Sequence, residues 1–538
     1  MPTNDQSIKL SVTVKRRLEA KYKAPAARKQ IDTARQNWIN ADAKRGIQTM
    51  HVAVDDSADT NMKKLGVRPV SGDVTPGKIK QVIDDLWKKI TPTPHYLVLF
   101  GGHDIVPMFE VENPTHDFNS DTDKTLLTDN PYASYKRFSA NWHSYVVPDR
   151  VVGRIPDMLS DSDPAWFVDY LKTATKWKPK PANLYKRTYA ICTAEAKRAA
   201  SDVMQEAFAK STLPLFICPP ISDTSTRARH GLSARLHTIK CHGNEGDATF
   251  WGFPEYDQRK EQPCPAISST TLRQLRHLTR STVVAAMCCY GAQIFSPEDP
   301  HARKRGQWPM ASTYLRKGAL GFVGSTKMAW VGVSDMGKAD RIVVAYLQNV
   351  LAGDSLGNAL LACKQDYKRT TAGGVLGDED AKTLIEYVLL GDPSIHPVIS
   401  SEVAEGELAV QERQQRRVAR AMLAAGIRDF LPTRSSATPA QAAMAKDVFK
   451  SAQDMIPKDS VKKLKTFGIK PTAARVKRVN SRLPAFPETP SGPIRRRKSL
   501  EYYWSGRRGR GAHKQLCLLK AVTDPHGKVS RASVMYSS

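Results

Sequence analysis

One short apolar run constrains the fold of this chain more than any other feature. Residues 283–287 are Val, Val, Ala, Ala and Met, and Cys288 and Cys289 follow directly. A run of this length that stops at a turn is typical of a strand buried inside a sheet. We therefore expect a central strand that delivers a thiol to the edge of an α/β sheet.

A second run of the same kind lies upstream and ends in a histidine. Leu236–Lys240 is followed by Cys241, His242 and Gly243. Open α/β sheets place their functional sites at the carboxyl ends of the strands, so the two runs predict a thiol and an imidazole at one edge. An imidazole next to a thiol is the usual means of forming a nucleophilic thiolate near neutral pH.

Size and composition exclude several classes of protein. The 538 residues suggest two to four domains, and no apolar run is long enough for a transmembrane helix. The amino terminus lacks the pattern of a secretory signal, and the eight cysteines lack metal-type CxxC pairs. We expect a cytoplasmic protein with reduced cysteines, no membrane contact, no metal and no cofactor.

The positive charge is concentrated towards the carboxyl terminus. The net charge is +28, and residues 401–538 hold 28 Lys/Arg against 11 Asp/Glu, a net of +17. Aromatic residues stand beside arginines at Tyr502–Arg508. This asymmetry predicts contact of residues 401–538 with nucleic acid or another acidic partner, or a solvated basic appendage.

Strand-like and helical stretches alternate along most of the chain, which predicts an α/β fold with a mostly parallel sheet. We expect residues 7–46 to be helical. Four regions are predicted. Residues 1–90 form a helical and α/β part of the catalytic region, and residues 91–400 form the main domain. Residues 401–494 form a basic region with a helix over 402–431 and linkers at 432–442 and 482–494, and residues 495–538 form a small β element with a hairpin turn at 524–527.

Seven segments, in this order, resemble the gingipain-like branch of the caspase-fold cysteine peptidases, and they span over half of the chain. They are YLVLFGGHDIVP at 96–107, TDNPY at 128–132, PDRVVGRIP at 148–156, CHGNEGDATFWG at 241–252, VVAAMCCYGAQIF at 283–295, GALGFVGST at 318–326 and LLGDPS at 389–394. The resemblance implies a caspase-like α/β/α sandwich, with a basic helical and β appendage at the carboxyl terminus.

The resemblance also implies a Cys/His dyad. His242 matches the family histidine, and the nucleophile is Cys289 or Cys288. A small residue before the nucleophile favours Cys289, whereas a glycine three places after it favours Cys288. Strand alternation lets only one of the two face the histidine. The N–H of Gly243 is a candidate oxyanion donor.

Three acids complete the expected site. In the family an acid at the position of Asp149 lies beside the histidine and would orient it; a structural turn residue is the alternative. Asp161 and Asp163 lie where related enzymes place an acid in the specificity pocket, which would favour a basic residue at the scissile position. Their alternative role is to cap the following helix.

We therefore expect a regulated, intracellular cysteine endopeptidase that acts on polypeptides. Two other classes remain open. One is an inactive caspase-like scaffold, which predicts an unreactive thiol. The other is a nucleic-acid-associated protein that binds through its basic carboxyl-terminal region, which predicts salt-dependent binding.

Overall fold

The computed structural model describes most of the chain. The described residues are 7–116, 121–208, 215–255, 262–275, 281–298, 306–371, 376–399, 439–455, 461, 464, 475–482, 496–508, 515–523 and 528–537. The predicted helix at 402–431, the linker residues 432–438 and 483–494, and the predicted turn at 524–527 lie outside these residues.

The strands and helices alternate as the sequence predicts. The strands are β1 Ser7–Thr13, β2 Ile47–Ala53, β3 Tyr96–Phe100, β4 Phe109–Glu112, β5 Thr125–Thr128, β6 Val151–Ile155, β7 Thr188–Thr193, β8 Leu215–Cys218, β9 Leu236–Lys240, β10 Thr249–Gly252, β11 Cys264–Ser268, β12 Thr282–Ala286, β13 Ala319–Ser325, β14 Trp330–Val331, β15 Tyr387–Gly391, β16 Arg475–Arg482, β17 Arg496–Arg508, β18 Gln515–Thr523 and β19 Val529–Ser537. The α-helices are α1 Lys15–Lys21, α2 Pro25–Ala43, α3 Thr60–Leu65, α4 Pro76–Lys89, α5 Ala165–Lys176, α6 Asn183–Lys186, α7 Lys197–Phe208, α8 Thr226–Gly231, α9 Ser269–Gln274, α10 Met310–Arg316, α11 Lys338–Leu351, α12 Leu356–Thr370, α13 Asp378–Glu386 and α14 Pro439–Asp454. Short 3-10 helices occupy Asn130–Ala133, Trp142–Ser144 and Ala194–Ala196.

A ten-stranded sheet organises the protein, in the order β2-β1-β3-β6-β15-β13-β12-β9-β7-β8. The first five strands are parallel to one another, and so are the last five. The two halves meet where β15 runs antiparallel to β13. This confirms the mostly parallel sheet, and it means that the carboxyl ends of the two halves lie at opposite edges.

Both faces of the sheet are covered. Every residue of β9, β12, β13 and β15 is buried, although successive side chains in a strand point to opposite faces. One group of contacting helices contains α2, α5, α10 and α9, and another contains α7, α11, α12 and α13. This is the α/β/α sandwich that the sequence predicts. Within the described residues no helix is long and apolar enough to span a bilayer.

The amino-terminal segment differs from its prediction, because residues 7–13 form β1 and not a helix. Its polar side chains are buried against specific partners, whereas the expected helix would have exposed them to solvent. The Lys9 ammonium lies 2.6 Å from Asp42 and 2.7 Å from Asp392, and all three side chains are fully buried. Trp38 Nε1 also donates to Asp392, at 2.8 Å. A buried lysine of this kind cannot be recognised before its partners are known.

The carboxyl-terminal strands form a second sheet in the order β14-β19-β18-β17-β16. The predicted pairing of the last two strands is confirmed by β18 and β19. The sheet also contains β16, which precedes the boundary expected at residue 495, and β14, which belongs to the main domain. Helix α14 begins at Pro439, inside the stretch expected to be a linker.

The Lys9 cluster gives a stability prediction. Lys9→Met should lower the free energy of unfolding by about 3–5 kcal/mol, because it leaves two buried carboxylates without their cation. Lys172→Met, which removes an exposed ammonium 3.4 Å from Asp169, should cost less than about 1 kcal/mol. Urea unfolding measures both, and equal losses would contradict the role of the cluster.

Candidate active site

The segment that contains His242 follows the carboxyl end of β9. His242 exchanges two main-chain hydrogen bonds with Trp251, at 2.9 and 2.8 Å, so the chain returns directly beside it. The intervening loop is tied by Asp247, which accepts hydrogen bonds from Trp251 Nε1 at 2.8 Å and from the N–H of Thr249 at 3.0 Å. The histidine is therefore held in a short, braced loop and is 7 % exposed.

A carboxylate contacts the imidazole, and it comes from Glu195. Its Oε1 lies 2.6 Å from His242 Nε2, and both side chains are 9 % exposed. Glu195 belongs to the 3-10 helix that follows β7, the strand next to β9. The ring of Phe253 packs edge-on against the imidazole, with the ring centroids 4.4 Å apart. A carboxylate in this position fixes the orientation of the ring.

The cysteine segment leaves the neighbouring strand β12 and turns sharply. Tyr290 has a positive φ of 55°, and the N–H of Gly291 bonds back to the Cys288 carbonyl at 3.2 Å. The hydroxyl of Tyr290 donates to Asp123, whose two carboxylate oxygens lie 3.0 and 3.1 Å away. Asp123 also accepts from the N–H of Met328 at 3.2 Å. The turn is thus fixed to two other segments of the chain.

The register of the two strands brings the histidine and cysteine segments level. Leu236 pairs with Val283 and Ile239 with Ala286. His242 and Cys289 each lie three residues beyond this last pair. A Cβ built on Gly243 would lie only 1.9 Å from the carbonyl oxygen of Cys289. The two main chains are therefore in direct contact, and a residue with a side chain does not fit at position 243.

The two adjacent thiols have different surroundings. Cys289 Sγ accepts a hydrogen bond from the N–H of Ala329 at 3.3 Å and lies 3.7 Å from the Ala329 carbonyl oxygen. Cys288 Sγ lies 3.6 Å from the carbonyl oxygen of Ile239 inside the sheet. Burial raises the pKa of the Cys288 thiol well above its ordinary value, because the thiolate would lose its solvation.

The acid expected beside the histidine, Asp149, lies elsewhere. It precedes β6, which is four strands away from β9, roughly 19 Å at about 4.8 Å per strand. Its carboxylate accepts a hydrogen bond from the N–H of Tyr135 at 2.8 Å. This contact is the one expected of the structural alternative for Asp149, and the acid beside the histidine in this structure is Glu195.

Asp161 and Asp163 have the contacts of their alternative role, at the start of the following helix. Both follow the carboxyl end of β6, which runs antiparallel to β9 and β12, so they lie at the opposite edge of the sheet. Asp161 accepts from Trp166 Nε1 at 2.9 Å, and Asp163 accepts from the N–H of Ala165 at 2.9 Å. They shape the start of α5.

Sequence reasoning missed Glu195. The signal was weak, since it consists of one glutamate two residues beyond the end of β7. It becomes meaningful only when β7 is known to lie beside β9. Among the described residues no cluster of three or more His, Cys, Asp or Glu could hold a metal ion. A carboxylate, an imidazole and a thiol at one sheet edge form the kind of site found in cysteine hydrolases.

Comparison with known proteins identifies the family. The model of peptidase family C25 matches residues 24–398, well over half of the chain. The chain therefore belongs to peptidase family C25 and is a cysteine peptidase. No curated protein matches it.

Solved structures similar to the chain share little sequence with it. The crystal structure of the Arg-specific cysteine proteinase gingipain R (RgpB) has a TM-score of 0.48 and 12% identity, and covers 74% of this chain and 79% of that one. A complex of the RgpB pro- and mature domains from Porphyromonas gingivalis has a TM-score of 0.48, 11% identity and coverages of 98% and 99%. A third, described as "Structure of Protease", has a TM-score of 0.47, 13% identity and coverages of 99% and 95%.

The contact at Gly243 gives a prediction for activity. Gly243→Ala should reduce peptide hydrolysis roughly 100-fold, because the added methyl group forces the histidine loop away from the cysteine turn. Gly77→Ala, at a site in α4 with nothing within 4 Å of the added Cβ, is the matched control and should keep full activity. Hydrolysis of labelled casein measures both, and a fully active Gly243→Ala protein would refute the contact.

The Glu195 contact gives a second prediction. Glu195→Gln should slow alkylation of the reactive thiol by iodoacetamide at neutral pH about tenfold, because the amide no longer holds the imidazole in the orientation that the carboxylate fixes. Glu206→Gln, an exposed glutamate in α7, should react like the wild type. Peptide mass mapping measures the rates. Equal rates in all three proteins would show that Glu195 serves only packing.

Proposed function

We propose that His242 and Cys289 form the catalytic dyad of a cysteine endopeptidase, with Glu195 orienting the histidine. The observation that carries the proposal is the contact between the Gly243 and Cys289 main chains, since it joins the two strand ends that bear the reactive groups. The 2.6 Å contact between His242 and Glu195 supports the assignment of the histidine.

Cys289 is the better candidate for the nucleophile. It lies level with His242 in the extended register of β9 and β12. Cys288 lies level with Cys241 by the same register, points towards the carbonyl of Ile239, and has a raised pKa. A thiol reacts through its thiolate, so burial of this kind makes Cys288 inert.

The reaction follows from these positions. His242 takes the proton of the Cys289 thiol, and the thiolate attacks the carbonyl carbon of the scissile peptide bond. The N–H groups of Gly243 and Cys289 donate to the oxyanion. His242 then gives the proton to the leaving amine as the C–N bond breaks. Water hydrolyses the thioester, releasing the acid and regenerating the thiol.

We also propose that the enzyme prefers a basic side chain at the scissile position. This proposal rests on acids other than Asp161 and Asp163. The loop after His242 brings Glu245 and Asp247 to the edge of the sheet where Cys289 lies. Asp247 is 8 % exposed and its carboxylate already ties the loop to Trp251 and Thr249. Glu245, whose side chain is 55 % exposed beside Lys327, is therefore the more accessible of the two acids. A carboxylate near the scissile position would favour an arginine or lysine of the substrate.

The dyad predicts a specific pattern of labelling. An arginyl chloromethyl ketone should add once to the wild type and to Cys288→Ala. Cys289→Ala should not be labelled, and His242→Ala should be labelled at least about 100-fold more slowly, because the general base is lost. Intact mass measures the adduct, and a leucyl chloromethyl ketone run in parallel reports the side-chain preference.

Two results would contradict the dyad. One is an adduct that survives Cys289→Ala and disappears in Cys288→Ala, which would transfer the role to Cys288. The other is uniform, slow labelling of the exposed cysteines by iodoacetamide that does not depend on His242. That result would favour an inactive scaffold.

Two expectations stay predictions. The first is contact with nucleic acid, which was predicted from the basic carboxyl-terminal region; strands β16 and β17 in that region carry a high share of Arg and Lys. Salt-dependent binding of an oligonucleotide by the full chain would test it. Regulated cleavage in the cytoplasm is the second expectation.

A further inference from the structure

The second sheet is attached to the main domain beside the reactive thiol. Strand β14 pairs antiparallel with β19, with Trp330 opposite Ser537 and Val331 opposite Tyr536. The residue immediately before β14 is Ala329, whose N–H bonds to Cys289 Sγ at 3.3 Å. The chain's own β19 therefore occupies a main-chain edge that begins one residue after Ala329, the residue bonded to the Cys289 thiol.

A second contact also attaches the second sheet to the main domain. A small apolar cluster joins the main domain to α14 and to the carboxyl-terminal strands. It includes Ala196, which follows Glu195, and Val333, which lies two residues beyond β14. Its buried members are Ala196, Val333, Val448, Phe449, Ala452, Leu464, Tyr502, Leu519 and Ala521. The helix and the sheet thus rest on segments adjoining both the histidine's partner and the thiol's partner.

An extended polypeptide would use the same edge. An unpaired strand edge offers a row of N–H and C=O groups, and the main chain of a peptide binds such an edge by adding a strand. Successive residues of a strand are about 3.3 Å apart, so a peptide paired with Trp330 and Val331 would bring its next carbonyl close to Cys289 Sγ. The edge cannot hold a substrate and β19 at once.

We propose that α14 and strands β16–β19, here called the C-terminal module, act as an internal inhibitor that covers this substrate edge. The proposal rests on the peptidase function proposed above. The module slows the entry of substrate while β19 is paired with β14, and displacement of the module exposes the edge.

The attachment is small enough to be displaced. The pairing uses two residues of β14, and the apolar cluster contributes Ala196 and Val333 from the main domain. Small interfaces between parts of one chain permit relative motion. A protein partner of the module, or a cut in the chain before it, would therefore be sufficient to activate the enzyme.

The test opens the pairing in the full-length chain. Neighbouring strand residues direct their main-chain polar groups to opposite sides, so the variant carries both Tyr536→Pro and Ser537→Pro, which removes whichever N–H faces β14. The matched control carries Lys477→Pro and Arg478→Pro in β16, at the far edge of the same sheet. Two probes are used: labelled casein, and a maleimide that carries a bulky polyethylene-glycol chain.

The β19 variant should hydrolyse casein at least about tenfold faster than the wild type. It should also react at least about tenfold faster with the bulky maleimide at Cys289, as mapped by peptide mass. The control should stay within about twofold of the wild type in both assays, and hydrogen exchange at Trp330 and Val331 should accelerate in the β19 variant and not in this control. Phe449→Ala, which weakens the apolar cluster without changing β19, should raise both rates by several-fold.

Other outcomes separate the two proposals. Unchanged rates in a folded β19 variant whose Trp330 and Val331 amides exchange rapidly would overturn the internal inhibitor and leave the peptidase intact. Equal activation by the β16 control would also overturn it, since general loosening would then be the cause. Faster labelling of Cys289 with no casein hydrolysis by any form would support the cover and refute the peptidase. If the β19 variant does not fold, Phe449→Ala decides alone, and unchanged rates in it would overturn the inhibitor.

Discussion

The parallel pairing of β9 with β12 is the constraint on which the site depends. Because Ile239 stands opposite Ala286, the residues three places beyond each strand, His242 and Cys289, leave the sheet at the same level. A slip of one residue would reverse the side chains and put Cys288 opposite the histidine. The register is secured where Gly243 meets the Cys289 carbonyl, since a side chain at position 243 would separate the two segments. Strand β7 completes the arrangement by carrying Glu195 to the same edge.

The antiparallel junction between β15 and β13 decides which acids can serve this site. It divides the sheet into two parallel halves whose carboxyl ends point in opposite directions. Glu195 follows a strand of the catalytic half and contacts His242. Asp161 and Asp163 follow a strand of the other half and are at the wrong edge. The amino-terminal half instead contributes stability, through the buried cluster of Lys9 with two carboxylates.

The C-terminal module connects the architecture with control of the enzyme. Its sheet continues from a two-residue strand of the main domain, directly after the segment that contacts the thiol. A single edge therefore serves two uses that exclude each other, inhibition by β19 and binding of an extended substrate. This arrangement requires no change in the catalytic residues themselves, because access to the edge is what changes.

The sequence by itself determined the alternation of strands and helices, the mostly parallel sheet and the two strand ends that bear His242 and the cysteine pair. Those features are local, because an apolar run and the residue that ends it are contiguous in the chain. The tertiary structure alone decided which acid meets the histidine, which edge Asp161 and Asp163 occupy, that residues 7–13 form a strand, and that β19 pairs with the strand that follows Ala329. Each of these depends on strand order and direction or on a partner distant in sequence, and no local pattern encodes them.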